Sequence, residues 1–114
     1  LGTSNLRLGD NAGDSILSGG NYNVAIGKDA GTALTTGDGN VIIGVYAGDA
    51  AADVDGLICI GYNAGTAINN AEADKNIAIG HQAMQANTDG RQNLAIGKES
   101  LQANVQGDGN TAVG

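Results

Sequence analysis

Residues 76–114 read NIAIGHQAMQANTDGRQNLAIGKESLQANVQGDGNTAVG. One phrase, Asn-x-Ala-(Ile/Val)-Gly, closes at Gly80, again at Gly97 and again at Gly114, with 17 residues between closing glycines. Read back toward the N-terminus, the same phrase appears as NLRLG closing at Gly9, NVAIG at Gly27, NVIIG at Gly44 and, in variant form, LICIG at Gly61. The successive intervals are 18, 17, 17, 19, 17 and 17 residues. A fixed period of this kind is the signature of a repeat architecture, so residues 1–114 are one repeat array rather than a conventional domain.

A second phrase follows each glycine. Three residues on stands Ala12, Ala30, Ala47, Ala64, Ala83 or Ser100, and the next position holds Gly13, Gly31, Gly48, Gly65, Met84 or Leu101. Between the second phrase and the next Asn lie turn formers such as TTGDG, NTDGRQ and VQGDG. Gly, Asn and Asp supply the positive φ angles of tight turns. Each unit is therefore expected to be one coil, with the N-x-A-I-G strand of five residues, a second short strand or extended arm over A-G-x-A-L, and two turns. Coils stack at the strand spacing of ~4.8 Å, so six intervals predict a rod on the order of 30 Å long. The fold class is all-β, a parallel β-roll or β-solenoid in which each coil touches mainly its neighbours. The extra residues of the longer intervals fall at SGGNYN and INNAEADK, where a solenoid places its loops.

Composition agrees. The chain has 20 glycines among 114 residues, three Tyr, and no Trp, Phe or Pro. Without the large aromatics that dominate ordinary cores, the chain must pack thin. A net charge of −7 with five Lys or Arg leaves no cationic footprint for nucleic acid and disfavours anionic membranes. No apolar run approaches the ~20 residues that cross a bilayer. The single cysteine, Cys59, permits no internal disulfide. Both ends of the sequence lie inside the repeat pattern, which is the expectation for a fragment of a longer fibre protein.

Alternation divides each strand into two faces. Val24/Ile26, Val41/Ile43, Ile58/Ile60, Ile77/Ile79 and Leu94/Ile96 share one, and its bulk predicts burial. Ala25, Ile42, Cys59, Ala78, Ala95 and Ala112 form the other. A strand apolar on both faces is covered on both. Two covers suit the small face: another copy of the chain, or the second arm of the same coil in a single-chain roll. The pattern favours the copy.

Three sets of residues bear on sites. Asn23, Asn40, Asn76, Asn93 and Asn110, with Ile26, Ile43, Ile60, Ile79 and Ile96, read as structural ladders, since stacked Asn side chains bond to one another and to backbone. The two positions after each glycine vary most, and Tyr46, Tyr62 and His81 there are the candidates for surface contact, with Tyr rings available to stack on sugars. Asp53 and Asp55 are weak candidates for calcium, which prefers oxygen ligands, but the array lacks the nine-residue period of calcium-binding β-rolls. No nucleophile and base recur together, so no catalytic residue and no cofactor is expected, and the chain is read as not an enzyme.

The run from Ala78 to Gly114, together with IGKDAG, IGVYAG and IGYNAG upstream, resembles the repeat arrays of phage tail fibres and related bacterial tail-fibre-domain proteins. It is also similar, more distantly, to the head repeats of trimeric autotransporter adhesins. The resemblance implies a homotrimeric β-roll or interlaced β-helix in an extracellular or virion fibre, often followed by an endosialidase-type chaperone domain. It implies that the chain's partner is itself, with a host cell-surface glycan or protein as a second partner. Two departures stand out: Leu57 replaces the phrase's Asn, and Arg7 replaces its Ala, a residue that does not fit a buried alanine column.

The reading favoured is a structural segment of such a fibre, holding distal receptor-binding parts. The alternative is an adhesin head module that itself binds carbohydrate or a surface. A left-handed β-helix acyltransferase needs an aliphatic residue every six positions, but Thr32 and Asp38 stand six and twelve beyond Ile26. An ice-binding solenoid needs an aligned Thr column, but Thr32 and Thr66 alternate with Asp14 and Asp49.

Overall fold

The computed structural model describes residues 2–114. Seven three-residue strands follow the phrase: β1 Leu6–Leu8, β2 Val24–Ile26, β3 Val41–Ile43, β4 Ile58–Ile60, β5 Ile77–Ile79, β6 Leu94–Ile96 and β7 Thr111–Val113. They form one parallel sheet in chain order. Register follows the repeat: Ala25 pairs with Ile42, Ile42 with Cys59, Cys59 with Ala78 and Ala78 with Ala95. The 18- and 19-residue intervals leave that register intact, because the extra residues bulge before the next strand. Of the five-residue phrase only the middle three are strand; the Asn and the Gly belong to the flanking bends.

The second phrase is neither a strand nor an extended arm. Its backbone enters the left-handed region twice per coil, at Asp29, Tyr46, Asn63, Gln82 and Glu99 and again at Gly31, Gly48, Gly65, Met84 and Leu101. Two successive turns result, closed in the second coil by Ala30 N–H to the Gly27 carbonyl (3.2 Å) and Leu34 N–H to the Gly31 carbonyl (3.0 Å). The turns are themselves stacked. Gly31 N–H donates to Ala47 of the following coil at 3.0 Å, while Asp29 N–H donates to Asp10 of the preceding one at 2.8 Å. Each coil thus has one strand, and stacked turns close the other side.

This closure reverses the expected faces. Ala25, Ile42, Cys59, Ala78 and Ala95 point inward and are fully buried, together with Ala30, Ala47, Ala64 and Ala83 from the turns. The molecule measures 35 × 24 × 16 Å, and its short dimension leaves room for small side chains between sheet and turns. The Ala face is therefore covered within one chain. The Val and Ile pairs, expected to be buried, lie on the outside and are only half-buried.

Within the thin interior, volume is traded along each coil. Where Gly65 occupies the second turn, Ile68 fills the space three residues on; where Met84 occupies it, Asn87 stands three on, its Nδ2 bonded to the Gly90 carbonyl at 2.8 Å. The coil that has Ala51 in place of Leu34 compensates with Val54 and Leu57, both fully buried, in the columns of Gly37 and Asn40.

The Asn column ties coils together. Asn40 N–H donates to Asn23 Oδ1 (2.9 Å), its own Oδ1 accepts Leu57 N–H (2.8 Å), and its Nδ2 donates to the Val54 carbonyl (2.8 Å). Asn93 repeats the pattern with Asn76, Asn110 and Gly107. Leu57 interrupts the ladder: its N–H donates to Asn40 Oδ1, but it has no side-chain amide to continue the column, and Asn76 Nδ2 donates to the Ala73 carbonyl in its stead (2.9 Å). Asn40→Ala strands a buried donor and a buried acceptor, each costing ~1–3 kcal/mol. The expected loss, read from urea unfolding, is about 2–5 kcal/mol; a loss within error of zero would mean the column does not hold the stack.

Candidate functional site

The outer face of the sheet is lined by aliphatic side chains. Two aliphatic columns run its length: Leu6, Val24, Val41, Ile58, Ile77 and Leu94, and beside them Leu8, Ile26, Ile43, Ile60, Ile79 and Ile96. Every central pair is half-buried, and at the ends Leu6, Leu8 and Val113 are 54%, 63% and 72% exposed. At the strand spacing the stripe is roughly 30 Å long and ~10 Å wide, about 300 Å², the size of the largest apolar patch that a typical monomer leaves in water and one that often serves a function. Of the ladder residues named from sequence, Ile26, Ile43, Ile60, Ile79 and Ile96 lie here, not in the core.

The corner just after each strand carries the surface-contact candidates. The structure brings Tyr46, Tyr62 and His81 together. Tyr46 meets Tyr62 edge to face at 6.2 Å between centroids, and Tyr62 stacks on His81 at 5.2 Å with 19° between planes. Lys28 Nζ lies 5.7 Å from the Tyr46 ring centroid. The Tyr46 phenol beside it, more than Asp29, holds the Lys28 ammonium above the usual lysine range. Tyr62 and His81 turn one face of each ring toward the other. Tyr62→Ala removes both ring contacts at a surface site, and about 1 kcal/mol of stability is expected to go with them. A thermal melt checks this; an unchanged melting temperature would contradict the ladder.

The opposite, turn-rich edge collects carboxylates. Asp38 Oδ1 accepts Asn21 N–H (2.7 Å), Asp55 Oδ1 accepts Asp38 N–H (2.7 Å), Asp74 Oδ1 accepts Asp55 N–H (3.0 Å) and Asp108 Oδ1 accepts Arg91 N–H (2.9 Å). Asp53 Oδ1 accepts the hydroxyls of Thr35 and Thr36, both at 2.7 Å, and these hold its carboxyl below the usual range. Asp53 and Asp55 thus serve separate columns of hydrogen bonds. Among the described residues no three His, Cys, Asp or Glu side chains gather where a metal ion would sit.

His81 and Cys59 complete the chemistry-bearing residues. His81 is exposed and meets Tyr62. Cys59 is buried in the alanine column, and burial pushes its thiol far above the range in which a thiolate forms. No concave pocket occurs among the described residues. The residues that sequence reasoning placed wrongly are the aliphatic pairs. The signal for their true position was present: Ala three residues after each glycine and Ala in the strand are small residues suited to face each other across a narrow interior.

No protein-family model matches the chain, and neither a curated protein nor a solved structure matches it.

Proposed function

We propose that the chain is a structural segment of a long fibre of the phage tail-fibre kind, extracellular or on a virion, and that it works as a homotrimer whose subunits meet through the outer aliphatic face. The observation that carries this reading is that face. Twelve residues of Leu, Val or Ile in two unbroken columns, set on a rigid sheet, face outward from a chain of net charge −7. Scattered apolar residues need no explanation, whereas a continuous ordered stripe of about 300 Å² is of the kind that often serves as a contact face. A second copy offers the same two columns at the same rise, so side chains interdigitate in register along the whole rod. In a cyclic trimer each subunit turns the stripe toward the common axis, and one side of it meets the other side of the next subunit's stripe.

The chain is on this reading a spacer and not an enzyme. It needs no cofactor, inserts into no membrane and takes no nucleic acid, and contact with a host cell-surface glycan or protein belongs to more distal parts. The one-strand coil supports a mechanical role, since every coil is bonded to the next by backbone hydrogen bonds on both sides.

Cysteine labelling tests the seam. Cysteine placed at Ile60 should react slowly with a bulky maleimide in the native protein, whereas cysteine at Tyr22, which is 66% exposed and off the stripe, should react fast. Equal, rapid labelling of both would sink the proposal.

A further inference from the structure

Arg7 occupies the interior column. It pairs in register with Ala25, which is fully buried. An arginine in a dry interior between coils would leave a charge stranded. Arg7 lies instead over the open end of the roll. Its stem passes close to Gly13, where a Cβ would stand 3.4 Å from Arg7 Cγ and 3.5 Å from the Ala25 methyl. Its Nε donates to the Ala12 carbonyl at 2.9 Å, and its Nη2 reaches Asp14 Oδ1 at 3.2 Å.

The acceptor is informative. In every later coil the carbonyl in the Ala12 column is bonded by a backbone N–H from the coil before it: Gly13 donates to Ala30, Gly31 to Ala47, Gly48 to Ala64, Gly65 to Ala83 and Met84 to Ser100. Arg7 Nε takes at Ala12 the place that the N–H of a further coil would take. Ala12 and Ile16 are only 2% and 4% exposed, although no coil among the described residues lies beyond them. A long side chain whose stem covers apolar surface while its head stays at the rim is the expected chemistry for this.

We infer that Arg7 is an end cap: it closes the interior of the roll beyond β1 and blocks a further coil, from this chain or from another copy, from stacking there. Terminal units of solenoids need such a cover.

The test extends the stack. A second copy of residues 23–35 fused ahead of the chain supplies one more coil in register, because its phrase glycine then stands 17 residues before Gly9. Two such chains are made, one with Arg7 retained and one carrying Arg7→Ala, and amide hydrogen exchange is read on the added strand. The expected result is fast exchange of the added strand with Arg7 present and protection at least about tenfold greater with Arg7→Ala, as befits an acceptor and an interior restored to the ladder. Equal protection in the two chains, high or low, would overturn the inference. In the unextended chain Arg7→Ala should speed exchange of the Gly13 and Ile16 amides by about tenfold or more and leave Ile77 and Leu94 unchanged. Unchanged exchange at Gly13 and Ile16 would equally overturn it.

Discussion

Ala78→Asp is expected to abolish folding of the chain, whereas Ile79→Asp, one residue later, leaves the chain folded and reduces the assembly to single subunits. Ala78 is fully buried between sheet and turns, in column with Cys59 and Ala95. A carboxylate there has no partner and little space, and an unpaired buried charge costs several kcal/mol at least. That is comparable to the whole stability of a small domain, about 5–15 kcal/mol. Ile79 is half-buried on the outer face, where an aspartate in a lone subunit keeps its water. In the proposed assembly the same aspartate faces a second apolar stripe and cannot. Circular dichroism separates the two variants by fold, and the sedimentation coefficient separates them by size. Loss of the β signal in Ile79→Asp but not in Ala78→Asp would invert the faces described above.

Gly80→Ala should be nearly as damaging, for a reason that involves no side-chain packing. The phrase glycines stack directly on one another, and Gly80 has φ +133°. A Cβ there would stand 2.5 Å from the carbonyl oxygen of Gly97 in the next coil. Neither partner is a flexible side chain, so the two coils must separate and their hydrogen bonds stretch. A cost of about 3 kcal/mol or more follows from the backbone strain and the lost bonds together. Gly39→Ala is the control: its φ is +66° with nothing within 4 Å, and ~1 kcal/mol is expected there from the left-handed conformation alone. Urea midpoints measured on both variants decide it; equal losses would mean that conformation, not the contact between coils, makes the phrase glycine necessary.

The period and the parallel register were legible because each coil repeats the same bonds, so the same residue returns wherever the same bond is made. The Asn column was legible for that reason, and Leu57 marks the place where the bond is missing. The faces of the strand were not. Placing bulky residues inside assumes a core wide enough to hold them, and the width here is set by the stacked turns, which admit alanine. Those turns were read as an arm because the residues that adopt positive φ include Tyr46, Gln82 and Glu99, types that carry no strong signal for it. Of the candidate surface, the row Tyr46, Tyr62 and His81 was visible as a stripe, but the way its rings face each other depends on the coil spacing. Arg7 was visible as a misfit, and only the position of its guanidinium on the Ala12 carbonyl gives it a role.

The exposed aliphatic stripe makes subunit assembly the central claim, and the mass of the 114-residue chain in solution tests it most directly. Light scattering behind a sizing column should give about three times the 11.2 kDa of one chain. A single-chain mass across the accessible concentration range would contradict the fibre assembly and leave the outer face an uncovered surface of a monomeric roll.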